Sequence, residues 1–280
     1  MMFNGQTIDS GDKSTNIQGK EVTIINNSGL SYSDVKDIAM DVFKNNFYDL
    51  GEKVDEVVNE RAKEIINKYL EKLRVSDSDL IKNTEDPDVR YIIYEAQKNH
   101  ARRGDENIAE LLVNVLVERT KVKNESLKKL VLNEALTIIP KLTLQQINTL
   151  TFILWIRYLN YTVEVPIESF ILETKKIYKY IDMKHNGIFF QHMQYASCLS
   201  ISIGSISFKS IIKEKFHQLN TEDNALKVIK SNPYLSTLEQ AWDSSELCHC
   251  TLTSVGIAIA MSNLNNIAGL DLDLSLWITE

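Results

Sequence analysis

The chain has 280 residues, 44% hydrophobic and 25% charged, the balance of a soluble globular protein able to bury one large core or two smaller ones. Its formal charge of −7 excludes a general nucleic-acid coat, which needs a concentrated basic surface. Ten glycines and four prolines leave little material for long loops, so a mainly α fold with a small β component is expected.

Residues 1–30 differ in composition from the rest of the chain. They are rich in Gly, Asn, Ser and Thr, and STNIQ and KEVTII alternate between polar and β-branched positions, with Gly11-Asp12, Gly19-Lys20 and Asn26-Asn27 at turn positions. A disordered tail is one reading. The other is a short β-element with Ile17, Val22 and Ile24 among its apolar points, and such an element needs a partner chain or a body to dock on.

From Ser31 to Arg74 the pattern predicts one long amphipathic helix, with Val35, Ile38, Val42, Phe47, Leu50, Val54, Val57, Ile65, Tyr69 and Leu73 recurring at three- and four-residue steps. Ser31 and Asp34 suit a capping box, and Gly51 is the place for a bend or break. Unbroken, the helix would reach roughly 60 Å at about 1.5 Å per residue, so part of its stripe is expected to meet another subunit or a later part of the chain. Phe47, Val54 and Val57 are the stripe residues assigned to assembly.

VSDSDLIKNTED then reads as a linker, and Asp86-Pro87 restarts a helix. Gly104 and Asp105 mark the turn of a helical hairpin. Three parts result: 1–30, a β-rich assembly segment or tail; 31–123, long helix and hairpin; and 124–280, a helical body. In the last, Thr143 and Gln146 form a capping box for LQQINTLTFILWIRYL, the expected central helix, and Pro166 opens another helix. SISIGSISF suggests a short strand or turn, Thr253-Ser254 caps GIAIAMSNLNNIA, and the alternation of LDLDLSLWI predicts a terminal strand. The most apolar run, Thr149 to Ile156, is far shorter than the roughly 20 residues of a membrane span, so no membrane partner is expected.

Cys198, Cys248 and Cys250 make an odd cysteine count, and no charged-then-apolar leader opens the chain; a reduced, cytoplasmic setting is expected. Cys248-His249-Cys250 with His192 and Cys198 invites a zinc reading, but the spacing lacks the paired C-x-x-C steps of a zinc ribbon, and small free cysteines are commonly core residues. Cys198 with His192 is the best nucleophile–base pair available. His100, Arg102 and Arg103 form the densest basic cluster, either complementing a helix C-terminus or contacting an anion. No phosphate loop, HExxH step or paired-acid signature occurs, and no cofactor is expected.

VRYIIYEAQKNHARRGDENIAELLVNVLVERTK, KLVLNEALTIIPKLTLQQINTLTFILWIRY, FQHMQYASCLSISIGSISF and the downstream LTSVGIAIA together resemble an uncharacterised family of bacterial helical proteins with a Gly/Asn-rich start and a long charged helix; that resemblance implies no catalytic residues. The order of an Asp-Pro helix start, a hydrophobic-His-aromatic step and a closing LTxxG is similar to the abortive infection alpha family of phage-defence proteins. LTSVG also resembles the Thr-x-x-Gly step of winged-helix domains, although the preceding helix, with Arg157 its lone cation, is too apolar to read a DNA groove. The expectation is a non-enzymatic, self-assembling protein, a sensing or partner-binding component of phage defence whose partners are itself and another protein rather than nucleic acid. The alternatives are an effector enzyme with a Cys/His site around Cys198 and Cys248, and a winged-helix-like regulator.

Overall fold

Helix starts are fixed by side chains that satisfy the first free backbone N–H groups. In the computed structural model, which describes residues 29–47, 52–160, 165–181 and 186–278, both expected capping boxes form, Ser31 with Asp34 and Thr143 with Gln146. Asp86, Asp105, Ser126, Asn186, Ser207, Thr221, Asn232 and Thr253 cap eight further helices in the same way. Gly104 and Gly269 close their helices in the left-handed region, at φ 62° and 63°, where a Cβ would be strained.

The elements in chain order are α1 (Tyr32–Asn46), α2 (Glu52–Ser76), α3 (Pro87–Arg103), α4 (Glu106–Lys121), α5 (Leu127–Ile138), α6 (Leu144–Ile153), α7 (Ile167–Tyr178), α8 (Gly187–Tyr195), β1 (Leu199–Ile201), α9 (Phe208–Lys215), α10 (Glu222–Ser231), α11 (Pro233–Asp243), β2 (Cys250–Leu252) and α12 (Ser254–Ala268). The fold is therefore mainly α with a small antiparallel sheet, in which Leu199 faces Leu252 and Ile201 faces Cys250. The N-terminal β-element with Ile17, Val22 and Ile24 lies outside the described residues.

Three expectations change. Residues 31–74, expected as one long helix with Gly51 the place for a bend or break, form two helices: Phe47 turns to extended backbone after α1, and its ring stacks on Phe43 at 4.7 Å between centroids. α2 begins at Glu52, and α1 packs against both α2 and α3. The stretch after α2 is no open linker but tight 3-10 turns over Ser78–Glu85, pinned by buried Ile81 and Thr84. The terminal strand does not form among the described residues. Residues 270–278 make an extended segment with one 3-10 turn at Leu274–Leu276, and the burial of Leu274 and Ile278 follows a four-residue step rather than a two-residue one. In place of a neighbouring strand the Asn265 side chain serves it, donating to Leu272 O and accepting from Leu272 N–H, both at 3.0 Å. β1 pairs with Cys250–Leu252, a segment whose sequence pattern does not mark a strand.

Phe43, Val58, Ala62 and Ala101 form a small cluster of their own, and most other buried side chains between Val35 and Ile278 form one large cluster with members on both sides of the expected 123/124 boundary. At its centre α12 packs against α4, α5, α6 and α7. Its buried Asn263 donates to Asn148 Oδ1 (3.1 Å) and Thr151 Oγ1 (2.8 Å) of α6, fixing the register of the two helices. The α12 N-terminus sits hard on β1: Thr253 N–H donates to Cys198 O, the Thr253 hydroxyl donates to Ser197 O and accepts from Gly256 N–H, and a Cβ on Gly256 would lie 1.8 Å from Cys198 O.

Two buried cations tie other elements together. Arg119, 0% exposed, donates to Asn133 Oδ1 (2.6 Å), Val122 O (3.0 Å) and Asp88 Oδ2, joining α3, α4 and α5. Lys215, 7% exposed, donates to Trp155 O (3.1 Å) and Leu159 O, so its ammonium closes the π-helical turn Leu154–Tyr158 that ends α6. Burial holds the Lys215 amine down to about 8.

Gly256→Ala is expected to cost about 3 kcal/mol, the upper range for overpacking, and to lower the melting midpoint by on the order of 6–12 °C in calorimetry; an unchanged midpoint would show that the close approach relaxes freely. A second prediction concerns acid. Lys128 and Ser275 hold the Asp273 carboxyl far below the usual range. Its contribution is therefore complete above the unfolded value of about 3.9 and is lost as pH falls below that point. Melting curves from about pH 5 down to about pH 2.5 should fall less steeply for Asp273→Asn than for the wild type.

Candidate functional site

The three cysteines are side chains of the small sheet and its surroundings. Cys198, Cys248 and Cys250 are all buried and free of disulfides. Each thiol donates to a nearby carbonyl: Cys198 to Ala196 O (3.5 Å), Cys248 to Ser245 O (3.2 Å) and Cys250 to Glu246 O (3.1 Å). Burial pushes Cys198 and Cys250 up to about 12 and raises Cys248 as well, the opposite of what a thiolate nucleophile or metal ligand requires. His192 is engaged by Gln146, Nδ1 to Nε2 at 2.9 Å, and His249 Nδ1 lies 3.2 Å from Gly204 O. Among the described residues these three cysteines and two histidines do not gather into a set of metal donors.

The basic cluster at the end of α3 also disperses. His100 is 2% exposed and turns inward to Glu64 of α2, with Nε2 at 3.4 Å from Oε2. Arg103 donates to Pro140 O (2.6 Å) and Leu142 O (2.8 Å), anchoring the turn after α5, while Arg102 is exposed. Arg61 donates to Ala101 O and lies against Gly104, where a Cβ would be 2.3 Å from its guanidinium carbon. These cations terminate helices and do not converge on one anion.

Of the residues assigned to assembly, Phe47 is spent within the chain beside Phe43, Val58, Ala62 and Ala101. Val54 and Val57, one turn apart on α2, are 46% and 44% exposed, and Val42 of α1 is also exposed.

A polar recess that the sequence does not mark is a groove of about 290 Å³ between the C-terminal half of α2, α4, α5, α12 and residues 270–274. Its floor is made of side-chain amides and lysines already in register: Lys72 donates to Asn114 Oδ1, Asn114 donates to Asn266 Oδ1 (2.8 Å), and Lys128 pairs with Asp273 (2.8 Å). Ser262 Oγ, enclosed in the same wall, has no hydrogen-bond partner. The groove is lined by the amide of Asn114, the Ser262 hydroxyl and the ammonium groups of Lys72 and Lys128, together with the carboxylates of Glu118 and Asp271. A periodicity scan passes over it because Asn114, Ser262, Asn265 and Asn266 read simply as the polar face of two helices.

Central α6 is buried from Gln146 to Ile153 and presents no face to a nucleic-acid groove. No helix among the described residues is long and apolar enough to cross a membrane.

The architecture is thus a helical body closed by a two-stranded antiparallel sheet, with its thiols sequestered and a hydrogen-bonding groove at one side. The chain belongs to an uncharacterised protein family whose model matches residues 29–226 and 215–278. No curated protein and no solved structure matches it significantly.

A thiol-specific chromogenic disulfide should react with the native protein far more slowly than with the denatured chain, which releases all three thiols. Stoichiometric labelling of the native protein at the rate of a free cysteine would restore Cys198 or Cys248 as a nucleophile candidate.

Proposed function

We propose that the chain is a non-enzymatic bacterial protein that self-assembles through its N-terminal part and uses its helical body to sense a small polar ligand or a partner protein. The groove between α2, α4, α5 and α12 carries this reading: it offers prearranged amides, lysines and one unpaired hydroxyl, and no nucleophile–base pair. The buried, carbonyl-bound thiols weigh against an effector enzyme built on Cys198 and Cys248. Phage defence is the proposed setting, supported by the similarity in order and spacing to the abortive infection alpha family.

Self-assembly is supported by Val54 and Val57, which the chain's own packing leaves half-covered on α2. Because they are not core residues, replacing both by Asp should leave the melting midpoint of the body nearly unchanged and reduce the oligomer. Light scattering on a sizing column reads the mass of the full chain, of Val54→Asp/Val57→Asp, and of a chain starting at Gly29. A full-length species larger than a monomer that falls to fewer subunits in either variant is the expected result; a monomer mass for each, near 32 kDa for the two full-length chains and correspondingly lower for the truncated one, overturns self-assembly.

A further inference from the structure

We propose a divalent-metal site at the junction of α2, α3 and α4, formed by Glu64, His100 and Glu106 and gated by Lys68. The donor atoms of the three residues lie within 4.8 Å of one another. Each comes from a different helix: Glu64 from α2, His100 from the last turn of α3, and Glu106 from the first turn of α4. Two carboxylates and one imidazole are a donor set for zinc or another borderline first-row dication, with one position left for water. Around such an ion, with bonds of about 2.0–2.2 Å, donors sit roughly 3.4 Å apart.

Three independent features point to a cation here. His100 is buried, yet its nearest partner across the cluster is a carboxylate oxygen at the long distance of 3.4 Å, so its imidazole is aimed into the site without a tight bond to it. The Lys68 ammonium already bridges the two acids, at 2.5 Å from Glu64 Oε1 and in contact with Glu106 Oε2. With Lys68 displaced, Glu64 and Glu106 carry two negative charges, which one dication balances. Finally, Lys68 and Glu106 also line an open surface groove of about 400 Å³ between α2 and α4, which gives an ion a path from solvent and Lys68 a place to swing out.

In this arrangement Lys68 is the cation of the metal-free state and is displaced when metal binds. Binding would staple the α3–α4 turn to α2 and turn Lys68 toward the groove where Glu71 and Lys72 also lie. The proposal is independent of the ligand groove and of assembly, since its residues belong to neither.

The test is titration of the chelator-treated full chain with Zn²⁺ by calorimetry and with Co²⁺ by visible absorption. One saturable equivalent is expected for the wild type. Lys68→Met removes the competing ammonium and should tighten binding about tenfold or more, whereas Glu106→Gln and His100→Gln remove donors and should weaken it by at least about tenfold. Since the His100 side chain is buried, Glu106→Gln, whose side chain is 63% exposed, serves as the variant certain to report on binding rather than folding. Zinc should raise the melting midpoint of the wild type and not of Glu106→Gln. No saturable binding by either the wild type or Lys68→Met overturns the site and leaves Lys68 as a permanent counter-ion. Binding unaltered in Glu106→Gln also overturns it, placing the ion elsewhere.

Discussion

The approach of α12 to the backbone of Cys198 is the contact on which the rest of the bundle depends. A helix surrounded by α4, α5, α6 and α7 has almost no freedom once one end is fixed, and Gly256 fixes that end by letting Cys198 O occupy the space of a side chain. Thr253 secures the same point with three hydrogen bonds, and Asn263, two to three turns on, sets the rotation of α12 against α6 through Asn148 and Thr151. Everything outside that axis is added by pairwise packing: the hairpin of α3 and α4 on one side, and α7 to α11 on the other. The buried Arg119 and Lys215 act at the next level, each satisfying backbone carbonyls where a helix ends inside the protein and water cannot.

What is legible in the sequence is the punctuation. Capping side chains act within three residues of themselves, so Ser31, Asp86, Asp105, Thr143 and Thr253 can be read without knowing the fold. Features that depend on distant partners are not legible. The leucines of LDLDLSLWI alternate, yet a strand requires a neighbour, and here a single asparagine side chain takes the neighbour's place. Likewise CTL in β2 is too short to show any period, and it becomes a strand because β1 lies beside it.

The sites follow the same division. Residue type suggests chemistry at Cys198, Cys248, Cys250 and His192, but burial decides whether a thiol is a nucleophile or a small apolar filler, and sequence spacing does not encode burial. His100 stands out in the sequence for its positive neighbours, whereas its actual neighbour is Glu64, brought across from α2. Only the Glu64–Lys68 step, four residues apart on one helix face, can be anticipated as a pair.

The groove beside α12 has walls drawn from widely separated parts of the chain: Lys72 and Ser76 on one side, Leu270 to Leu274 on the other. Bringing such walls together costs the entropy of closing the intervening chain, a cost that contacts within one helix do not carry. The Asn265–Leu272 clasp holds the second wall in place. The groove therefore exists only on the completed fold, and any molecule that bound there would tell a finished chain from a partly folded one.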